Sequence, residues 1–520
     1  MNKILIAIIT IILSTNLFAQ QSELDWAEIQ WGTEMKVAPG IFWGTQRFTD
    51  DLYLNVWRDG VELHIISTTG NMNLIKQREL KIEHAARKGK YYFESIFRLG
   101  DKLCLMSKIK VKKEEKFYYY VQTIDPNSLE IVGEPVQVGE MTFLRSSFKE
   151  IEDFVVSPDY SKMYFGHNNG TRDLKKFWYE LEIFDAELES IYADKIEIEN
   201  DEALNTAYID FWKNGDVAVL AKRVIEKKDR EKDKPNYYYT AAVMRNGEVQ
   251  RYKVDLGSNF ISGAGITFGK NGDLIISGYY SPNAANRVNG VFFIREDISG
   301  DELGETMYKE FTVEEIMKFA SERQEKKAKK KEDKGREIEL NDYTIHDLFE
   351  TDNGVFLLAE QYWMRVEVNR SSNGMVTTTF HYYYMDVMAL KFTTEGEVEW
   401  MARVPKYNYS KNDGGRYSSF NYDYNSNSVY LLYNDHIGNH IEYNPRRILK
   451  TPWGGKKSVT CLAQIDNEGN MKRGYLYNVA EEALFTKVKQ SAALDEDTGF
   501  MIIAQKKKKF KLARVTTKEE

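Results

Sequence analysis

The sequence is short of the residues that mark several familiar classes. It has 2 Cys and 9 Pro in 520 residues, which excludes a disulfide-stapled miniprotein and a collagen-like fibre. Outside the first residues no apolar run approaches the roughly 20 residues needed to cross a bilayer, so a polytopic membrane protein is excluded as well. What is present points to a large folded core. Hydrophobic residues make up 42% and charged residues 29%, with 33 Tyr and 27 Phe, a bias toward strands. The 71 Lys+Arg and 79 Asp+Glu leave a net charge of −8, which gives no reason to expect a nucleic-acid partner.

Residues 1–19 read as a targeting segment. Lys3 supplies the basic end, Ile4–Leu13 the apolar stretch, and Leu17-Phe18-Ala19 a small-residue cleavage site. Cleavage near Ala19 removes Lys3 and no acid, so the expected product is an exported protein, periplasmic or extracellular. No Cys precedes Cys104, which excludes a lipid anchor at the new terminus. Cys104 and Cys461 lie in apolar runs and read as two small buried hydrophobes.

A repeat dominates the rest. Tight polar turns recur at Thr49-Asp50-Asp51, Leu99-Gly100-Asp101, Ser157-Pro158-Asp159, Lys213-Asn214-Gly215, Lys270-Asn271-Gly272, Asp352-Asn353-Gly354, Asn425-Ser426-Asn427 and Glu496-Asp497-Thr498. Gly, Asn and Asp suit such turns because they tolerate positive φ or bond their own backbone. After each turn comes an apolar run of strand length, among them Leu103–Met106, Leu274–Ser277, Val355–Ala359 and Val429–Tyr433. Runs without alternation fit strands buried on both faces. A Tyr-rich third run and a short fourth one follow in several units, for example Phe117–Val121 and Tyr237–Val243. Four strands per unit, repeated about eight times, predicts an all-β fold: a single β-propeller over residues 20–520. Seven units are the alternative if Gly40–Ile82 is irregular, and a pair of stacked sheets is the other architecture.

Closure is legible too. The last unit supplies three runs only, around Gln490–Leu494, Phe500–Ala504 and Phe510–Val515, while Trp26–Val37 lacks partners. The N-terminal strand is therefore expected to complete the last blade and leave no open edge. One insertion interrupts the pattern. Thr312 and Glu315 form a capping box ahead of an apolar helical stripe, and a Lys-rich tract follows, so Thr312–Glu339 is expected to be a helical, solvated protrusion.

Catalytic motifs are missing. There is no Gly-x-Ser-x-Gly elbow, sialidase box, phosphate loop or complete calcium loop. His436-Ile437-Gly438-Asn439-His440 has metalloprotease spacing but lacks the Glu and contains Gly438, so its histidines read as loop residues. His64, His84, His167, His346 and His381 form no ligand-spaced set. No metal and no cofactor is expected, and no catalytic or ligand-binding residue is assigned. The most distinctive stretches are Ala359–Trp363, Phe380–Asp386, Asn412–Tyr417 and Tyr433–His436, where aromatics neighbour Asn, Asp and Arg. They could line a ligand-binding rim or simply pack between neighbouring blades, and the packing reading is favoured. The segments Arg365–Thr379 and Ile437–Lys457 read as its long loops.

The signal segment, the recurring Asn-Gly and Ser-Pro-Asp turns and the Lys-rich insertion resemble a family of exported bacterial β-propeller proteins of unassigned function. The stretches carrying the likeness are Ala359–Tyr362, Tyr382–Asp386, Glu397–Trp400 before Pro405-Lys406, and Leu431–Asp435, and it extends over nearly all of the mature chain. The resemblance implies a fold and a compartment and transfers no functional residue. The expected function is a non-enzymatic binding or scaffold role toward a protein, peptide or glycan. The alternative is a polysaccharide-acting hydrolase or lyase with acids at the channel.

Overall fold

In the computed structural model, the apolar runs become the second strand of each sheet, and alternation explains their composition. Leu103 and Leu105 point into the core shared with the preceding sheet, whereas Cys104 and Met106 point into the core shared with the next one. The same division holds for Leu274 and Ile276 against Ile275. A strand sandwiched this way needs apolar side chains on both faces.

The structure describes residues 24–518 apart from 50, 85, 143–151, 172–176, 199–204, 213–214, 226, 246–247, 298–302, 318–324, 327, 331–332, 334–338, 442–443, 445–446 and 495–497. The expected targeting segment lies outside the described residues. So does most of the Lys-rich tract beyond the short helix Val313–Met317. That helix carries the capping box: Glu315 N donates to Thr312 Oγ1 at 3.2 Å, and Thr312 N donates to Glu315 Oε2 at 2.7 Å.

Eight antiparallel sheets of four or more strands follow one another in chain order among the described residues, beside a two-stranded one of Arg287–Val288 with Leu340–Asn341. The first runs Ile41–Thr49, Leu52–Asp59, Glu62–Thr68 and Leu74–Lys81, so the segment on which a seven-unit count depended is a complete four-stranded sheet. The second begins at Lys90–Leu99, the third at Glu152–Val156, the fourth at Asn205–Phe211, the fifth at Phe260–Phe268, the sixth at Tyr343–Thr351 and the seventh at Phe420–Tyr424. The eighth joins both ends of the chain. Gly499–Lys506 and Lys509–Thr517 pair with each other, and Ala27–Trp31 adds to the outside with Ala27 opposite Thr517 and Ile29 opposite Val515.

Each sheet shares a buried core with the next, and the series returns to its start. Tyr430 and Leu432 of the seventh sheet meet Phe500 and Ile502 of the eighth. Met501, Ile503 and Leu512 of the eighth meet Tyr53, Trp57 and Ile66 of the first. Successive sheets packed face to face and closing on themselves make a β-propeller, and first strands of neighbouring sheets contact one another around its axis. Turn chemistry fits locally: Gly272 has φ +79° and its N–H donates to Gly269 O at 2.8 Å, which closes the turn before Leu274–Ser281. Both cysteines are free and buried.

Candidate functional site: the rim of the sixth and seventh sheets

The sixth sheet departs from the others in one hairpin. Its second and third strands, Gly354–Arg370 and Val376–Phe392, are each 17 residues long and overshoot the ring. Arg365–Thr379, expected as a long loop, is instead paired strand, with Val366 opposite Phe380 and Val368 opposite Thr378. Val366, Val368 and Val376 alternate with polar residues, and Gly374 N bonds Ser371 O at 2.9 Å in the turn.

The two faces of this overhang differ. On one, Trp363 stacks on Tyr383 at 4.9 Å, Tyr383 meets Tyr409 at 4.9 Å, and His381 bridges the Tyr409 hydroxyl at 2.8 Å and Glu367 at 3.0 Å. Asn408–Lys411 pairs along the edge of Val376–Phe392 with Tyr409 opposite Tyr383, which sets the Tyr409 ring on that face. On the other face Met364, Val366, Val368, Val376 and Phe380 are 38–55% exposed. The tyrosines Tyr362, Tyr382, Tyr383, Tyr384 and Tyr409 are buried or half-buried, and the displayed residues are Met, Val and Phe.

Where the hairpin leaves the ring, charge is buried. Glu360 and Lys406 form a close ion pair with both side chains fully excluded from solvent. Ser419 Oγ donates to Glu360 Oε2 at 2.5 Å, and His346 Nε2 lies 3.3 Å from that oxygen. Burial pushes the Glu360 carboxyl up, but Lys406 and His346 outweigh it and hold it below the usual carboxylate value. Lys489 donates to the Tyr384 hydroxyl at 2.6 Å, and burial lowers its pKa. Lys487 is buried against the Phe42 ring at 4.5 Å. Burial, with Arg416 adding to it, brings its pKa down to about 8.

Deeper along the axis, three carboxylates approach one another. Tyr208 of the fourth sheet donates a short hydrogen bond to Asp347 of the sixth, reaching past the fifth. Asp210 and Asp423 are electrostatically coupled to Tyr424, as is Asp347. Burial raises all three acids, Asp347 and Asp423 to about 6. Each also fastens backbone. Asp210 Oδ2 accepts Phe268 N at 3.0 Å and Thr267 Oγ1 at 2.9 Å from the fifth sheet, and Asp423 Oδ2 accepts Gly499 N at 2.6 Å from the eighth. The sequence carries a signal for this that motif reading passed over. Asp153-Phe154, Asp210-Phe211, Asp347-Leu348 and Asp423-Tyr424 each place Asp before an apolar residue within the first strand of a sheet.

The histidine pair with metalloprotease spacing is not brought together as a pair. His436 Nδ1 accepts from Gly438 N at 2.9 Å, while His440 turns inward to Asp435 and Cys461. Elsewhere, a pocket of about 310 Å³ opens between the second and third sheets, where buried His167 faces Glu180 at 3.7 Å. Among the described residues no helix is long and apolar enough to cross a membrane.

No family model matches the chain, and no curated protein matches it. Among solved structures, an uncharacterised protein of Listeria monocytogenes EGD-e is 11% identical, with 79% of this chain and 88% of that one covered and a TM-score of 0.35. The β-propeller domain of the Trilobed protease from Pyrococcus furiosus is 12% identical over 72% and 95%, with a TM-score of 0.32. A protein of unknown function from Bacteroides caccae is 12% identical over 71% and 93%, with a TM-score of 0.26. At these levels no family and no activity passes to this chain.

Proposed function

We propose that this propeller is an exported binding module that docks a protein or peptide partner on the overhanging hairpin of its sixth sheet. The carrying observation is the exposed face of Met364, Val366, Val368, Val376 and Phe380, set on a twisted two-stranded arm that stands clear of the ring. Apolar side chains gathered on one displayed face mark interaction surfaces, whereas single exposed ones need no explanation. The stacked Trp363, Tyr383 and Tyr409 stiffen the arm from behind, so little ordering is left to the moment of binding. Export is supported by the basic end, apolar stretch and small-residue site of residues 1–19.

The test compares the native chain with a variant carrying Val366→Ser, Val368→Ser, Val376→Ser and Phe380→Ser, both immobilised and exposed to envelope extract. Proteins held by the native chain and lost from a folded variant support the reading; identical retained sets overturn it. Sedimentation runs in parallel, and a native dimer that the variant abolishes gives the face to a second copy instead.

A second reading draws on Asp347 and Asp423, two axial carboxyls raised to about 6 and so suited to proton transfer. It makes the ring a polysaccharide-acting hydrolase or lyase. Release of reducing or unsaturated ends that disappears in Asp347→Asn supports it, and no release across a panel of acidic and neutral glycans counts against it.

A further inference from the structure

Three side chains of different chemistry meet in the core beside the seventh sheet, away from the rim hairpin. Asp435 ends the strand Ser428–His436, His440 follows in the short turn of helix Gly438–Ile441, and Cys461 lies in the middle of the adjacent strand Ser458–Asp466. His440 Nε2 lies 3.1 Å from Asp435 Oδ2 and 3.1 Å from Cys461 Sγ, and one ligand atom of each residue falls within 4.8 Å of the other two. Asp435 and Cys461 are fully buried, and the His440 side chain is 5% exposed.

We propose that Asp435, His440 and Cys461 form a binding site for a divalent metal ion, with Zn²⁺ the ion that best suits them. A Zn²⁺ ion held at about 2.0 Å by nitrogen and oxygen and about 2.3 Å by sulfur sets tetrahedral ligand separations of about 3.3 Å and 3.6 Å. The two His440 spacings, 3.1 Å to oxygen and 3.1 Å to sulfur, lie just inside these values, and the third side of the triangle is under 4.8 Å. Mixed thiolate, imidazole and carboxylate donors select zinc among the common divalent ions.

Proton accounting points the same way. A single Nε2–H cannot be directed at both an oxygen and a sulfur, and the thiol's other hydrogen-bond contact is Val459 O, at 4.0 Å. A cation at the common point displaces the thiol proton to solvent and takes the Nε2 lone pair, joining all three groups at once. One carboxylate, one thiolate and a neutral imidazole balance a dication, with the Arg473 guanidinium as the neighbouring cation. Asp435 is already oriented: its Oδ1 accepts from Asn439 Nδ2 and His436 N, both at 2.8 Å. Three protein ligands leave a fourth position for water. His436, expected with His440 as a loop histidine, takes no part: its Nδ1 accepts from Gly438 N at 2.9 Å.

Cobalt(II) titrated into the metal-free full chain tests this, because a thiolate ligand gives a near-ultraviolet charge-transfer band together with tetrahedral visible absorption. The expected result is about one equivalent bound, with a band lost in Cys461→Ser and kept in Cys104→Ser. These are the chain's two cysteines, so the Cys104 variant assigns the sulfur even if Cys461→Ser fails to fold. Asp435→Asn should weaken binding by about tenfold or more. A native chain that binds cobalt without the band, or not at all, overturns the proposal. So does a band lost in Cys104→Ser.

Discussion

Lys487 illustrates how a single side chain records its surroundings. Its ammonium is buried against Phe42 with Arg416 nearby, and its pKa falls to about 8 from 10.5. Between these values the unfolded chain binds more protons than the folded one, so this group adds stability as pH rises from 8 to 10.5. Below pH 8 both states are protonated and the full penalty of burying the charge remains. Lys487→Met should therefore stabilise the protein at pH 7 by up to about 3 kcal/mol, with the gain shrinking toward pH 10.5; urea titrations at several pH values read it directly. Glu360 and Lys406 make the opposite case, since each is buried with its partner in place. Glu360→Gln leaves the Lys406 charge buried and should cost about 3–5 kcal/mol by thermal unfolding. Adding Lys406→Met should recover most of that loss. Neither pair was visible along the sequence: Glu360 and Lys406 stand 46 positions apart and meet only because the sixth sheet folds back on itself.

At the scale of elements, burial separates the core strands from the overhang. Leu105 lies in a core shared by two sheets, so Leu105→Ala should destabilise by about 2–5 kcal/mol, while Val366→Ser on the exposed arm should stay within about 0.5 kcal/mol. Equal losses in denaturant titrations would place the arm in the core instead. The sequence showed the second strands clearly, because burial on both faces leaves an unbroken apolar signature. Turn chemistry at Asn-Gly and Ser-Pro-Asp then divided the chain into units. Along the sequence the overhang resembles loop, because Arg365, Glu367 and Asn369 break the apolar run expected of a propeller strand. Their alternation with Val366 and Val368, and Asn373-Gly374 between the arms, is nevertheless the pattern of a hairpin with one polar face. A lone Asp before an apolar residue carries no motif along the sequence, and the axial acids acquire a meaning only when the ring brings their strands together.

The whole molecule depends on a contact between its ends. Ala27–Trp31 pairs with Lys509–Thr517, and Trp26, Ala27 and Ile29 fill the core between the seventh and eighth sheets. The eighth sheet is in turn the wall against which Tyr53, Trp57 and Ile66 of the first sheet pack on that side among the described residues. Deleting residues 24–36 thus does more than shorten one sheet. It bares the edge of Lys509–Thr517 and removes apolar area from two shared cores, Trp26, Ala27 and Ile29 from one and Met35 from the next. A ring whose sheets each lean on two neighbours should unfold as one unit, whereas an opened ring can fray from its exposed end inward. The native chain is expected to give coincident urea transitions by far-ultraviolet circular dichroism and tryptophan fluorescence. The deletion variant should show a lower midpoint and transitions that separate, since the eighth and first sheets melt before the fourth and fifth. An unchanged midpoint with coincident probes would mean that the terminal strand adds nothing to closure. Refolding carries the same signature: the first and last strands must meet before the ring is sealed, so sealing is the most non-local step the topology demands and should be the slow one. Removing the N-terminal strand should abolish that slow phase rather than merely retard it.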